Sequence, residues 1–110
     1  MNEQRHILLV PFPFSDQTGQ KIRPVLVVSN NEYNKGKDLV VCGVTSSIKE
    51  EKYRLTIGNS DMESGNLFSK SSIKADSILK IDKMLIIKEI GLIKKTTFAK
   101  VLDKIHLLLR

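Results

Sequence analysis

The sequence predicts a mainly β, α+β domain: a small curled sheet or barrel with one amphipathic helix packed across it. Short aliphatic runs bounded by turn residues recur through the chain, each too brief for a helix of ordinary length. Only the last segment changes from strand-like patterning to a helical period.

Ile7-Leu8-Leu9-Val10 and Val25-Leu26-Val27-Val28 are continuous apolar runs, as expected of strands buried on both faces or lying in a tightly curved sheet. Pro11 and Pro13 remove ladder donors, so the first strand ends there or lies at an edge. Phe12 and Phe14 share a side if the segment stays extended; base stacking and packing are both open to them. The polar loop Ser15 to Lys21 is too long for a two-residue hairpin. Residues 29–38 carry turn chemistry with room for one helical turn, before a third strand over Leu39 to Val44. Tyr53 to Ile57 alternates as a half-exposed strand, and Gly58 to Asp61 is a turn. Asn66 to Phe68 and Ile73 to Ile81 are candidate strands, and Leu85 to Gly91 adds one more. Phe98, Val101, Leu102, Ile105, Leu108 and Leu109 then follow i, i+3, i+4, i+7 spacing, with Thr96 or Thr97 offered as N-cap.

With 110 residues, the chain is read as a single domain over 1–110, able to bury roughly 60 to 70% of its unfolded surface around one core. Apolar residues at 41% favour a globular chain over a disordered one. No apolar run reaches the length of a membrane span, and the start Met1 to His6 is not the basic start of a signal peptide, so a cytoplasmic protein without a membrane partner is expected. The single cysteine, Cys42, lies inside an aliphatic strand and reads as a buried thiol; no Cys/His spacing suits a metal, so neither disulfide scaffold, zinc module nor cofactor is expected. His106 reads as a surface or interface residue of the helix.

The formal charge is +6, unevenly placed. Residues 1–61 carry 8 basic and 7 acidic side chains, whereas residues 62–110 carry 10 and 5, a net +5 that favours a polyanionic partner. Two segments suit such a partner chemically. In Lys21-Ile22-Arg23-Pro24, the proline pushes Arg23 towards extended backbone, and a guanidinium held at a strand mouth can grip a phosphate with two parallel donors. A solvated arginine ending a strand gives the same pattern. In Val44-Thr45-Ser46-Ser47, three hydroxyls follow a strand, suited to phosphate or ribose and equally to an ordinary turn.

Taken together, residues 7–16, 21–29 and 41–48 resemble in order and spacing the three motifs of the MazF/PemK family of toxin endoribonucleases. Ser72 to Asp76, Ile81 to Lys83, Ile90-Gly91 and the terminal helix resemble its C-terminal half. The resemblance implies an SH3-like barrel with a C-terminal amphipathic helix, and a homodimer that cleaves single-stranded mRNA at short sequences without metal. It implies 2′-hydroxyl attack, leaving a 2′,3′-cyclic phosphate and a 5′-hydroxyl. By position, Arg23 and Thr45 match the family's catalytic arginine and threonine. The loop residues Asp16, Gln17 and Thr18, together with Lys21, Ser46 and Ser47, are the implied RNA contacts. Lys74 and Asp76 stand where some members carry an assisting Arg and Asp, although lysine lacks arginine's bidentate fork. Many members have Gly and an acidic residue before the first strand; here that place holds Arg5-His6. A cognate antitoxin is the further implied partner, with DNA binding only as the toxin–antitoxin complex. The rival readings are a non-catalytic nucleic-acid or peptide-binding barrel and a related toxin aimed at a protein such as a topoisomerase.

Overall fold

The computed structural model describes residues 3–12 and 21–110. They form β1 (His6–Phe12), β2 (Lys21–Val27), β3 (Asp38–Thr45), β4 (Arg54–Ile57), β5 (Met62–Gly65), β6 (Ser71–Asp82), β7 (Lys88–Ile93) and α1 (Lys95–Leu109). The strands make one curled sheet, a half-barrel in the order β4-β6-β3-β2-β1-β7-β5, with every pairing antiparallel. The short strands β4 and β5 stand at its edges, which limits the unpaired backbone on offer to other chains.

The unbroken aliphatic runs have a direct cause, since β1, β2 and β3 are buried on both faces. Ile7, Leu26, Cys42 and Val44 join a cluster with Ile73, Ile93, Phe98 and Val101. Their neighbours Leu8, Val25, Val27 and Val41 point the other way, into a second cluster with Val10, Leu39 and Ile81. Burial of each such side chain stabilises the fold by about 1.5–3 kcal/mol. The 12-residue β6 serves both clusters because it bends. Its register on β3 jumps from Cys42↔Ile78 to Gly43↔Lys74, leaving Ala75, Asp76 and Ser77 without partners on β3.

The structure moves several expected boundaries. No strand forms at Asn66 to Phe68; the strand is β5, ending at Gly65, whose φ of +77° turns the chain out of the ladder. The strand expected over Leu85 to Gly91 begins at Lys88, because Lys83–Leu85 form a 3-10 turn whose Met84 N–H is held by Asp82 Oδ1 at 2.8 Å. The helix begins at Lys95, with Lys94 as its N-cap residue and no side-chain cap. Thr97 does not cap it, because its hydroxyl donates to Asp61 Oδ1 at 2.8 Å, tying α1 to the turn before β5. The expected helical turn in 29–38 is the 3-10 turn Tyr33–Lys35, with Asn34 buried beneath it.

Just before β1, Arg5 has φ +82°, a left-handed conformation that suits glycine better than arginine. Its guanidinium offsets that strain by donating to Ile93 O at 2.8 Å and pairing with Glu63 at 3.0 Å.

Candidate active site

The site forms where β2 and β3 part. Their ladder runs Val27↔Val41, Leu26↔Cys42, Val25↔Gly43 and stops, because Pro24 has no N–H to continue it. Continuing that register by two residues sets Arg23 across from Thr45, on strands free to diverge. Two cavities lie against this fork. The larger, about 290 Å³, is lined by Arg23, Thr45 and Ser46 with a mostly apolar remainder that includes Leu9, Ile22, Leu67 and Phe68. The smaller, about 150 Å³, is lined by Arg23, Pro24, Gly43, Val44, Thr45, Lys74 and Ser77. Arg23 and Thr45 thus stand in the wall between the two, each half-buried. Among the described residues, the smaller cavity brings two cationic side chains, Arg23 and Lys74, to one wall with the hydroxyls of Thr45 and Ser77.

The Thr45 hydroxyl is oriented by its own turn, with Oγ1 accepting the Ser47 N–H at 3.1 Å. That leaves its proton available to an oxygen acceptor in the cavity. Lys74 reaches the site by register, opposite Gly43 on β3 and Arg54 on β4. Gly43 has a packing reason to be glycine, since a Cβ there would come within 3.2 Å of Ser77 Oγ and 3.7 Å of Lys74 Cε. Its bare backbone lets both side chains lie across β3.

The expected residues divide accordingly. Arg23, Thr45, Ser46 and Lys74 come together, whereas Ser47 is exposed and contributes its backbone N–H. Asp76 is exposed and lines neither cavity: the β6 bulge breaks the period-2 pattern that put it beside Lys74. Lys21 is exposed at the start of β2 and also lines neither. Asp16, Gln17 and Thr18, with Phe14, lie outside the described residues. His6 is directed elsewhere, its Nδ1 accepting the Glu3 N–H at 2.9 Å and its Nε2 3.8 Å from Glu89 Oε1. Cys42 is buried away from the site, and burial pushes its thiol pKa up to about 12, which makes it inert at neutral pH. Sequence reasoning missed Ser77, hidden by the bulge, and Phe68, which it placed with Asn66 and Leu67 in a candidate strand.

The model of the PemK-like, MazF-like toxins of type II toxin–antitoxin systems matches residues 3–109. The chain belongs to that family. No curated relative matches it significantly by sequence. Among solved structures, it is similar to a mycobacterial endoribonuclease in complex with its cognate antitoxin, with a TM-score of 0.80 and 20% identity over 100% of this chain and 98% of that one. It is also similar to the Mycobacterium tuberculosis toxin MazF-mt6, with a TM-score of 0.76 and 16% identity over 94% of each chain. A MazE–MazF structure from Deinococcus radiodurans gives a TM-score of 0.76 and 24% identity over 97% and 94%. At these identities the likeness is one of fold. In this PemK/MazF-like chain, among the described residues, no helix is long and apolar enough to cross a membrane.

Proposed function

We propose that the protein is the toxin of a type II pair and cuts single-stranded RNA, with Arg23 and Thr45 as catalytic residues. One observation carries the reading: these two side chains, from separate strands, share the wall of the same two cavities, with Lys74 lining the smaller one. A phosphodiester fits there, with its oxygens on the Arg23 guanidinium and the Thr45 hydroxyl and with Lys74 as a second cation. The ribose 2′-oxygen bonds to phosphorus as the bond to the 5′-oxygen breaks; the 2′-hydroxyl gives up its proton and the leaving oxygen gains one. Charge builds on the phosphoryl oxygens in the transition state, and preorganised donors stabilise it there more than in the ground state.

Mapping the 5′ ends released from a mixed-sequence RNA in the presence of chelator tests this reading. Site-specific cuts leaving 5′-hydroxyls are expected, with turnover falling roughly 10²- to 10³-fold in Arg23→Ala, by analogy with a lost oxyanion donor. Intact RNA, or cutting indifferent to that substitution, refutes it; RNA bound intact with steep salt dependence supports the non-catalytic barrel instead.

The family membership supports two partners. Exposed Met84, Leu85 and Ile87 near the start of β7 favour a homodimer, which a monomer mass by light scattering at micromolar concentration would exclude. An acidic antitoxin segment answers the basic second half, with DNA bound only by the toxin–antitoxin complex. Failure of an adjacently encoded acidic protein to inhibit cleavage removes that partner.

A further inference from the structure

The segment 66–70, between β5 and β6, forms part of the wall of the larger cavity. Its anchor is Leu67, which is buried and whose N–H is held by Asn59 Oδ1 at 2.7 Å. The segment ends where Ser71 Oγ donates to Ser69 O at 3.1 Å. Between these two fixed points, Phe68 is 96% exposed. Its ring stands in water beside a cavity that also holds Arg23 and Thr45. An aromatic ring left in solvent on an anchored segment forgoes burial that the fold offers its neighbour Leu67, so its use lies in something it meets.

The cavity identifies that ligand by its chemistry. At about 290 Å³ it is the size of a small-molecule subsite, mostly apolar through Leu9, Ile22, Val44 and Ile90, with the hydroxyl-bearing Ser46 and Ser69 among its lining. A flat group with apolar faces and a hydrogen-bonding edge, attached to a phosphate, matches such a lining: a nucleobase. Single-stranded RNA is commonly read through splayed bases stacked on aromatic side chains. We infer that Phe68 stacks on a base flanking the phosphate held by Arg23 and Thr45, and that this cavity helps to select the cleaved sequence. This rests on the ribonuclease reading above. A protein segment would suit the apolar lining as well, but the wall shared with Arg23 and Thr45 favours the base.

The test is a cycle on the RNA found by end mapping. Wild type and Phe68→Ala are assayed on the intact substrate and on substrates carrying an abasic riboside at either flanking position in turn, and binding is measured with a non-cleavable 2′-O-methyl version. Phe68→Ala is expected to lose roughly 5- to 150-fold in kcat/KM and in affinity on the intact RNA. It should lose little more on RNA already abasic at the stacked position, which is the signature of a shared interaction. Phe68→Trp should restore the loss, and Phe68→Leu should not. Equal losses on intact and abasic RNA, or no loss on either, overturn the stacking while leaving the ribonuclease reading in place. A variant that cleaves normally yet changes oligomeric mass or escapes an inhibitory antitoxin also overturns it, assigning the ring to a protein partner. If wild type cuts no RNA, the ribonuclease reading falls and this subsite with it.

Discussion

Replacing Ser72 by alanine should make the protein more stable. Ser72 is on β6, directly across from Thr45 on β3 and Thr56 on β4. It is fully buried, and among the described residues its Oγ has no hydrogen-bond partner. A hydroxyl taken out of water and left unpaired costs about 1–3 kcal/mol, whereas removing one oxygen leaves only a small void, and alanine's weaker strand preference costs some tenths of a kcal/mol. The net gain is therefore about 1 kcal/mol or somewhat more. For 110 residues, an unfolding entropy of about 2.1 cal/mol/K per residue gives roughly 0.23 kcal/mol/K, so each kcal/mol raises Tm by about 4 °C. Calorimetric melts of both proteins, with urea midpoints at unchanged slope, read this directly. A Tm lowered by several degrees would refute the reasoning, because it would mean that the hydroxyl is bonded in solution. An unpaired polar group beside a side chain proposed to be catalytic is also where stability is often given up for function. Cleavage by the same variant then measures what the hydroxyl contributes through Thr45.

Two further outcomes follow from close packing and burial. In Gly91→Ala, the new Cβ would fall 2.4 Å from Ser64 O and 2.7 Å from Met62 Cε, so β5 must move off β7. A loss of about 1–3 kcal/mol is expected in thermal melts, with faster amide exchange along β5, and an unchanged Tm would contradict this account. For Cys42, burial raises the folded pKa from 9.0 to about 12, so the native state keeps a proton that the unfolded chain releases. That contribution is intact below pH about 9 and fades by about 1.4 kcal/mol per unit as pH rises towards about 12. Urea titrations should show Cys42→Ala losing less stability over that window than wild type; parallel losses would count against it.

Much of the fold was legible because its signals are local. The runs at Ile7, Val25 and Leu39 announce strands buried on both faces, and the helical period from Phe98 onwards survives in the buried side of α1. Arg23 and Thr45 were also legible, since a proline after one and a hydroxyl run around the other are features of short segments. The misplaced elements turn on partners distant in sequence. Thr97 looks like a cap until Asp61, 36 residues earlier, takes its hydroxyl. Residues 66–68 look like a strand until Gly65 turns the chain out of the ladder and Asn59 fixes Leu67.

The β6 bulge shows why the remainder of the site had to wait for the structure. On an unbroken strand, Lys74 would share its face with Asp76, and the resulting ion pair would offset the positive charge offered to a phosphate. The register jump between Cys42 and Gly43 instead leaves Asp76 in solvent and brings Ser77 to the cavity beside Lys74. Gly43 makes room for both, so a glycine on one strand and three unpaired residues on its neighbour act together. Neither feature identifies itself in the sequence, because a bulge is a relation between two strands. The charge beside Arg23 is therefore a matter of register: the bulge sets Lys74 opposite Gly43 and against the cavity while Asp76 stays in solvent.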